Sequence, residues 1–163
     1  MKRRNLLLAG SAFATLGIAG LGLRIGSSGE ALAEEFEITK TPEEWRAILT
    51  DFEYRVLREE ATERPYTSDL LKEKREGTFT CAGCDLPLYA SSTKYDSGTG
   101  WPSFWEALPN AVGTKVDNKL FMTRTEVHCR RCGGHLGHIF DDGPEPTGKR
   151  HCINGVSLDF VAA

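Results

Sequence analysis

The five cysteines are the residues of this chain most able to do chemistry, and their spacing sorts them into two groups. Four of them form two C-x-x-C pairs, here called the knuckles: Cys81 with Cys84, and Cys129 with Cys132. Each knuckle places two sulfurs on one side of a tight turn, so the two together predict a tetrahedral thiolate site for zinc. Because protein fills all four positions, such a site is structural rather than catalytic. An iron centre, a pair of disulfides and a redox C-x-x-C pair are the alternatives.

Cys152 is the cysteine left over, and it is the candidate nucleophile. The thiolate is the reactive form of a cysteine, and a nearby cation favours it. In a strand Arg150 shares a face with Cys152 while His151 points the other way, so Arg150 is the better candidate for tuning the thiol. A single cysteine in a β-run can also be no more than a small buried hydrophobe.

His135 and His138 follow the second knuckle, which could hold them rigidly beside Cys152. An imidazole near a cysteine can act as its acid or base partner. Extra metal ligands or surface residues are the alternative interpretation of both histidines. Trp101 and Trp105, taken alone, are interpreted as core residues.

The elements that would position these residues begin with helices. Thr41-Pro42-Glu43-Glu44 predicts a helix start with a capping box, and Thr50-Asp51 predicts a second one. One or two short helices should therefore lay an apolar stripe on the core. The residues of that stripe are Trp45, Ile48, Leu49, Phe52 and Val56.

From Gly77 onward, short β-like runs are separated by turn residues. The candidate strands are 78–81, 87–91, 119–127, 135–140 and 152–161. This pattern predicts a mainly β (α+β) chain: an antiparallel β domain preceded by short helices.

Residues 1–33 are interpreted as a signal peptide of the twin-arginine type. Adjacent arginines precede the apolar run from Leu6 to Leu23, and Ala31-Leu32-Ala33 is an A-x-A cleavage signal. We expect export of the 34–163 domain to the periplasm with no membrane attachment after cleavage; an uncleaved anchor is the alternative. The exported domain keeps 16 of 20 basic and 22 of 23 acidic side chains, a formal charge of −6. This charge argues against a nucleic-acid partner.

From about Thr41 to Phe160 the chain resembles the B-type methionine sulfoxide reductases. The matching stretches are 62–66 (TERPY), both knuckles, 94–104 (KYDSGTGWPSF), 135–140 (HLGHIF), 142–144 (DGP) and 150–154 (RHCIN). The resemblance implies two antiparallel β-sheets packed as a sandwich with short N-terminal helices. It also implies a structural zinc ion and reduction of methionine-R-sulfoxide in proteins or peptides.

The same resemblance implies a role for each site residue. Cys152 would attack the sulfoxide sulfur as a thiolate and become a sulfenic acid. The two histidines, helped by Asn154, would protonate the oxygen, and Trp101 would form the apolar wall that receives the substrate methyl group. The implied site residues are Cys152, His135, His138, Asn154 and Trp101, with Asp142 and Arg150 setting the electrostatics around them.

Thr99 departs from the commonest pattern of that family, in which a second, resolving cysteine stands at this position. Threonine cannot form a disulfide with Cys152, and the other four thiols are assigned to zinc. We therefore expect a one-cysteine cycle, in which an external thioredoxin-like or glutaredoxin-like protein reduces the sulfenic acid.

Two functions of other classes compete with this hypothesis. A zinc-ribbon binding module would leave Cys152 dispensable and unreactive. A disulfide-exchanging oxidoreductase would use one knuckle as its redox pair, which a tightly held zinc ion in each chain would exclude.

Overall fold

The computed structural model describes residues 35–119 and 122–163, and it begins with two short helices. Helix α1 covers Pro42–Ile48 and helix α2 covers Asp51–Glu59. Both predicted capping boxes are confirmed: the Thr41 hydroxyl accepts from the Glu44 amide, and the Thr50 hydroxyl from the Glu53 amide. In return, the amides of Thr41 and Thr50 donate to the carboxylates of Glu44 and Glu53, so both capping boxes are complete.

The predicted apolar stripe is only partly right. Trp45, Leu49 and Val56 are buried, but the side chains of Ile48 and Phe52 are 57% and 39% exposed. The reason is the break between the two helices. Leu49 has an extended backbone, so α2 begins with its side chains turned to new directions, and the helical spacing of α1 does not continue into α2. Tyr54 and Leu57, which the pattern did not include, complete the buried face of α2.

Nine strands form two antiparallel sheets in the described part of the chain. Their bounds are β1 Gly77–Cys81, β2 Pro87–Ala90, β3 Lys94–Tyr95, β4 Ser103–Phe104, β5 Val112–Asp117, β6 Arg124–Cys129, β7 His135–Phe140, β8 Arg150–Ile153 and β9 Leu158–Ala162. The smaller sheet has the order β2-β1-β9, and the larger has the order β3-β4-β8-β7-β6-β5. Short 3-10 turns lie at Asp69–Leu71, Ser91–Thr93 and Gly155–Ser157.

One hydrophobic core is shared by the two sheets. Phe79 of β1 meets Phe104 of β4 edge to face at 5.0 Å, and Tyr89 of β2 stacks on the same ring at 4.3 Å. These ring contacts have the edge-to-face and stacked geometries that stabilise aromatic pairs, and they pack the two sheets against each other as a sandwich. The predicted fold class, a mainly β chain of two packed antiparallel sheets with short helices, is confirmed.

Two of the five predicted strands need correction, and the strands β3, β4 and β5 were not predicted. Strand β5 was missed, because it has three exposed residues in a row and shows no alternation. The run predicted at 119–127 becomes a strand only at Arg124. The run predicted at 152–161 is two strands in different sheets, because the 3-10 turn Gly155–Ser157 redirects the chain between β8 and β9.

The interpretation of residues 1–33 as a signal peptide lies outside the described residues. Within 35–119 and 122–163, no helix has both the length and the apolar character needed to cross a membrane.

Candidate active site

Cys152 lies on β8, near the middle of the six-stranded sheet. Its backbone partners are Ser103 on β4 and His138 on β7. Beside it opens a cavity of about 130 Å³. The residues that line this cavity are Thr62, Trp101, Arg124, Gly137, His138, Phe140, Cys152 and Asn154. A nucleophile placed on a central strand is held by hydrogen bonds on both sides, which favours a fixed attack geometry.

Four of the five residues predicted for the site therefore meet at one cavity: Cys152, His138, Trp101 and Asn154. His135 does not line it, because its side chain is buried behind His138, with the two rings edge to face at 5.5 Å. His135 can therefore reach a substrate in this cavity only through His138 or after a rearrangement.

Burial raises the pKa of the Cys152 thiol above its ordinary value. The positive charge of Arg150 and the hydroxyl of Thr99 oppose that rise. Arg150 itself is held by Asp142, with Nε and Nη2 each donating over 2.8 Å to one carboxylate oxygen. This fork-like pair fixes the guanidinium on the face of the strand that carries Cys152, as the alternation of the strand predicts.

His135 and His138 are each hydrogen-bonded to a carboxylate that the sequence analysis did not assign to the site. His138 Nε2 lies 2.8 Å from Asp117 Oδ2, and His135 Nδ1 lies 2.8 Å from Glu126 Oε1. The pKa of Asp117 is well below its usual range, first because of the Lys119 amide and then because of His138. Burial raises the pKa of Glu126, but hydrogen bonds from His135 and Lys115 outweigh it, so the net pKa is lowered. Both acids are therefore ionised and accept from the rings.

Since Asp117 accepts from His138 Nε2, the neutral ring carries its proton on Nε2 and its lone pair on Nδ1. Burial lowers the pKa of His138, and the bond to Asp117 offsets only part of this effect. In the free protein at neutral pH, His138 is thus mainly neutral and able to accept a proton.

Glu63 ties the two remaining site residues together. Its carbonyl oxygen accepts from the Trp101 indole over 2.9 Å, and its amide donates to Asn154 Oδ1 over 2.9 Å. Its buried carboxylate accepts from the amides of Gly155 and Val156, which anchors it beneath the site. Asn154 Nδ2 also donates to the Leu136 carbonyl, so the amide of Asn154 is held at both ends.

Thr99 faces the nucleophile, with its Oγ1 4.0 Å from Cys152 Sγ. Tyr66 holds the segment around it: its hydroxyl donates to the Gly98 carbonyl over 2.6 Å and its amide to the Gly100 carbonyl over 2.7 Å. Gly100 has φ +91° and packs so closely on Tyr66 that a Cβ there would lie 2.9 Å from the ring. Only glycine fits this turn, so the loop that carries Thr99 is fixed against Tyr66.

The four cysteines of the knuckles converge away from the cavity, with all four sulfurs within 4.8 Å of one another. Cys81 Sγ lies 3.7 Å from Cys132 Sγ, and Cys84 Sγ lies 3.5 Å from Cys129 Sγ. A tetrahedron of thiolates at ~2.3 Å from a metal ion has sulfurs about 3.8 Å apart, so the arrangement fits a metal and is too open for disulfides. The first knuckle follows β1 and the second follows β6, so a bound ion would join the two sheets.

Asp117, Glu126 and Glu63 were missed by the sequence analysis, and one of them could have been found. The second knuckle closes a hairpin of β6 and β7, and that register sets Glu126 opposite His138. An acid on the strand facing two histidines was therefore a readable signal. Asp117 lies on the missed strand β5, and the contacts of Glu63 come from residues 38 and 91 positions away, so neither had such a signal.

The chain is similar to known proteins over most of its length. The sequence model of the SelR domain matches residues 49–162. The peptide methionine sulfoxide reductase MsrB of Methanosarcina mazei is 52% identical over 126 residues, which cover 77% of this chain and 90% of the relative. The MsrB of Leifsonia xyli subsp. xyli is 53% identical over 128 residues, with 77% and 92% covered. That of Pseudomonas putida strain W619 is 53% identical over 125 residues, with 76% and 94% covered.

Proposed function

This chain belongs to the SelR family, that of the peptide methionine sulfoxide reductases MsrB, and on that basis we propose that it reduces methionine-R-sulfoxide to methionine. As a member of this family it is an oxidoreductase that acts on sulfur. The substrate would be the R epimer within proteins or peptides, and Cys152 would be the nucleophile.

The observation that carries the proposal is that Cys152 lines a small cavity together with Trp101 and His138. Trp101 offers an apolar surface for the methyl group of the substrate and keeps water from the reacting sulfur. Its indole is held by Glu63, so the wall is rigid. His138 lines the same cavity and offers a polar group toward which the sulfoxide oxygen would be directed.

The chemistry balances with the groups at hand. The neutral His138 takes the proton of the Cys152 thiol, and the resulting thiolate attacks the substrate sulfur. The imidazolium then gives that proton to the oxygen, which is transferred to Cys152. The substrate is reduced to methionine, and Cys152 is oxidised to the sulfenic acid. Asn154 Nδ2 has a second hydrogen beyond the one given to Leu136, and it would support the oxygen.

For the metal site we propose one structural zinc ion in each chain. Four thiolates in a closed set suit zinc, and the sulfur separations fit its tetrahedral geometry. The cysteines of the knuckles do not line the cavity. The ion would therefore hold the two sheets together and take no part in the reaction.

The regeneration step follows from Thr99. With threonine opposite Cys152 and the other thiols on zinc, two equivalents of an external thiol must reduce the sulfenic acid, giving a disulfide of the reductant and water. A thioredoxin-like or glutaredoxin-like protein is the proposed donor. From the pattern of residues 1–33 we further propose export by the twin-arginine route, so that this donor would be periplasmic.

The deciding experiment is a single-turnover assay on the separated R and S epimers of a methionine sulfoxide peptide with dithiothreitol. Wild-type protein should reduce only the R epimer, and Cys152→Ser should reduce neither. Metal content and folding of both proteins are the controls. If folded, metal-loaded wild type reduces neither epimer, the proposal is wrong and a zinc-ribbon binding module takes its place.

A further inference from the structure

Three hydroxyl groups form a continuous hydrogen-bonded line behind Cys152. Thr99 Oγ1 lies 4.0 Å from Cys152 Sγ and 2.8 Å from Ser97 Oγ. Ser97 Oγ lies 2.7 Å from Ser103 Oγ, which donates over 3.1 Å to the Trp101 carbonyl. Thr99, Ser97 and Ser103 are here called the hydroxyl chain. It runs from the nucleophile to a backbone carbonyl, and its last member is fully buried.

The carbonyl at the far end sets the direction of every bond in the hydroxyl chain. A carbonyl can only accept, so the single hydroxyl proton of Ser103 is donated to the Trp101 carbonyl. Ser103 must then accept from Ser97, and Ser97, whose proton is now used, must accept from Thr99. Ser97 also accepts from the Thr99 amide over 3.4 Å, which fills its second lone pair. The proton of Thr99 thus points away from the sulfur, and Thr99 can only accept from the Cys152 thiol.

We propose that the hydroxyl chain turns the proton of Thr99 away from Cys152 in the free protein, and that the chain must reverse before Thr99 can donate to the thiolate. A thiolate needs a donor, so Thr99 has to turn toward the sulfur. Ser97 and Ser103 must then turn as well, because two facing lone pairs at 2.7–2.8 Å repel each other. The reversal costs the bond from Ser103 to the Trp101 carbonyl. This inference rests on the proposed role of Cys152 as the nucleophile.

The hydroxyl chain cannot carry the proton of Cys152 away, because a backbone carbonyl does not accept a proton at ordinary pH. The proton must leave through the cavity. The titratable or charged groups facing Cys152 from the elements packed around it are Arg150 on its own strand, His138 on β7, Tyr95 on β3, Asp142 after β7 and Arg124 on β6. Among these, the neutral His138 is the acceptor within the cavity.

Because the thiolate is the form that reacts with oxidants, a thiol kept protonated between turnovers is protected in a protein with no resolving cysteine at position 99.

The hydroxyl chain predicts shifts of opposite sign for its members, which a merely structural role would not produce. Thr99→Val removes the hydroxyl that donates to the thiolate once the chain has reversed, so the midpoint of Cys152 ionisation should rise by about one pH unit. Ser97→Ala and Ser103→Ala free Thr99 to donate to the sulfur, so the midpoint should fall by about half a unit. Thr99→Ser keeps the hydroxyl and should resemble wild type.

The measurement is the rate of Cys152 alkylation by iodoacetamide against pH, followed on the Cys152 peptide by mass spectrometry in metal-loaded protein. At a fixed pH below the midpoint, Thr99→Val should react about tenfold more slowly and Ser97→Ala about threefold faster than wild type. Thr114→Val, which removes an exposed hydroxyl on β5, is the matched control and should leave the profile unchanged.

A profile for Ser97→Ala that is unchanged or shifted upward overturns the proposal. Ser103→Ala gives a second test should Ser97→Ala fail to fold, and circular dichroism identifies that case. Infrared spectroscopy gives a third: with the knuckle cysteines bound to metal as thiolates, Cys152 carries the only S–H group, and Thr99→Val should raise its stretching frequency. Alkylation does not require turnover. A failure of the proposed function, seen as no turnover by wild type or as turnover by Cys152→Ser, is therefore distinguishable from a failure of the hydroxyl chain.

Discussion

Asp117→Asn should disable His138, because the hydrogen bonds around Asp117 dictate how an asparagine would sit there. Asp117 Oδ1 accepts from the Lys119 amide over 2.9 Å, while Oδ2 accepts from His138 and from Arg124. The backbone amide of Lys119 cannot turn away, whereas the Arg124 guanidinium lies on a flexible side chain that can, so the asparagine oxygen stays on the side of the amide. Its NH2 group then faces His138 Nε2, which must become an acceptor and move its proton to Nδ1.

In that tautomer His138 can no longer take the thiol proton. General acid–base catalysis contributes ~10²–10⁴-fold to such reactions, and we expect a loss in kcat of about that size. Loss of the carboxylate also lowers the pKa of His138 further, since Asp117 raises it, so the acid limb of activity against pH should move to lower pH. The assay is steady-state reduction of an R-sulfoxide peptide from pH 5 to pH 9, with the tautomer read by ¹⁵N NMR of the ring.

Two variants serve as comparisons. Asp141→Asn makes the same chemical change at an exposed acid paired with Lys149, and its kcat should stay within about twofold of wild type. Glu126→Gln acts on His135, which does not line the cavity, and should cost less than Asp117→Asn. A folded Asp117→Asn protein with wild-type kcat would refute the assignment of His138 as the proton carrier.

Three further predictions can be checked directly. Thr99→Cys should give an internal disulfide with Cys152 after one turnover, seen by non-reducing mass spectrometry; its absence would show that Tyr66 holds the loop too far away. Removing the metal with a chelator should abolish cooperative thermal unfolding, because structural zinc contributes ~10 kcal/mol or more where whole domains are stable by ~5–15 kcal/mol; an unchanged calorimetric transition would contradict the structural role. Burial lowers the pKa of His151 to about 4. In the unfolded chain His151 takes up a proton near pH 6.5, whereas in the folded protein it does so only near pH 4. The free energy of unfolding should therefore fall by about 3 kcal/mol as the pH drops from 6.5 to 4. Urea unfolding of wild type and of His151→Gln over this pH range would measure the loss.

The helices show how far local sequence patterns determine structure here. Thr41 and Thr50 each carry their partner glutamate three residues on, so both helix starts were readable from local sequence. Ile48 and Phe52 were placed in the core wrongly, because helical spacing predicts a face only while the helix continues. The strand β5 was invisible for a related reason: its exposed residues leave no alternation for a pattern to detect.

The candidate site likewise contains residues that the sequence could identify and residues that only the folded structure reveals. The spacing of the cysteines indicated a metal site and a candidate nucleophile, whereas the function and the roles of His135, His138 and Trp101 came from the family resemblance. Ser97, Ser103 and Glu63 are not distinctive, since their contributions come from which atoms they meet. Directions of hydrogen bonds depend on a network that closes only when distant segments pack, so no local pattern could reveal them.

The division of the metal ligands between two sheets has a consequence for cutting the chain. A break between Lys119 and Met122 would leave one cysteine pair on each fragment, and the nucleophile with the second pair. A metal bound by both pairs would then add one more link between the fragments to the strand pairs β1–β9, β4–β8 and β5–β6, and so raise their effective concentration. A chelator should therefore weaken the association of the two halves, and added metal should restore it. The knuckles thus make the fold a candidate for a metal-dependent complementation reporter.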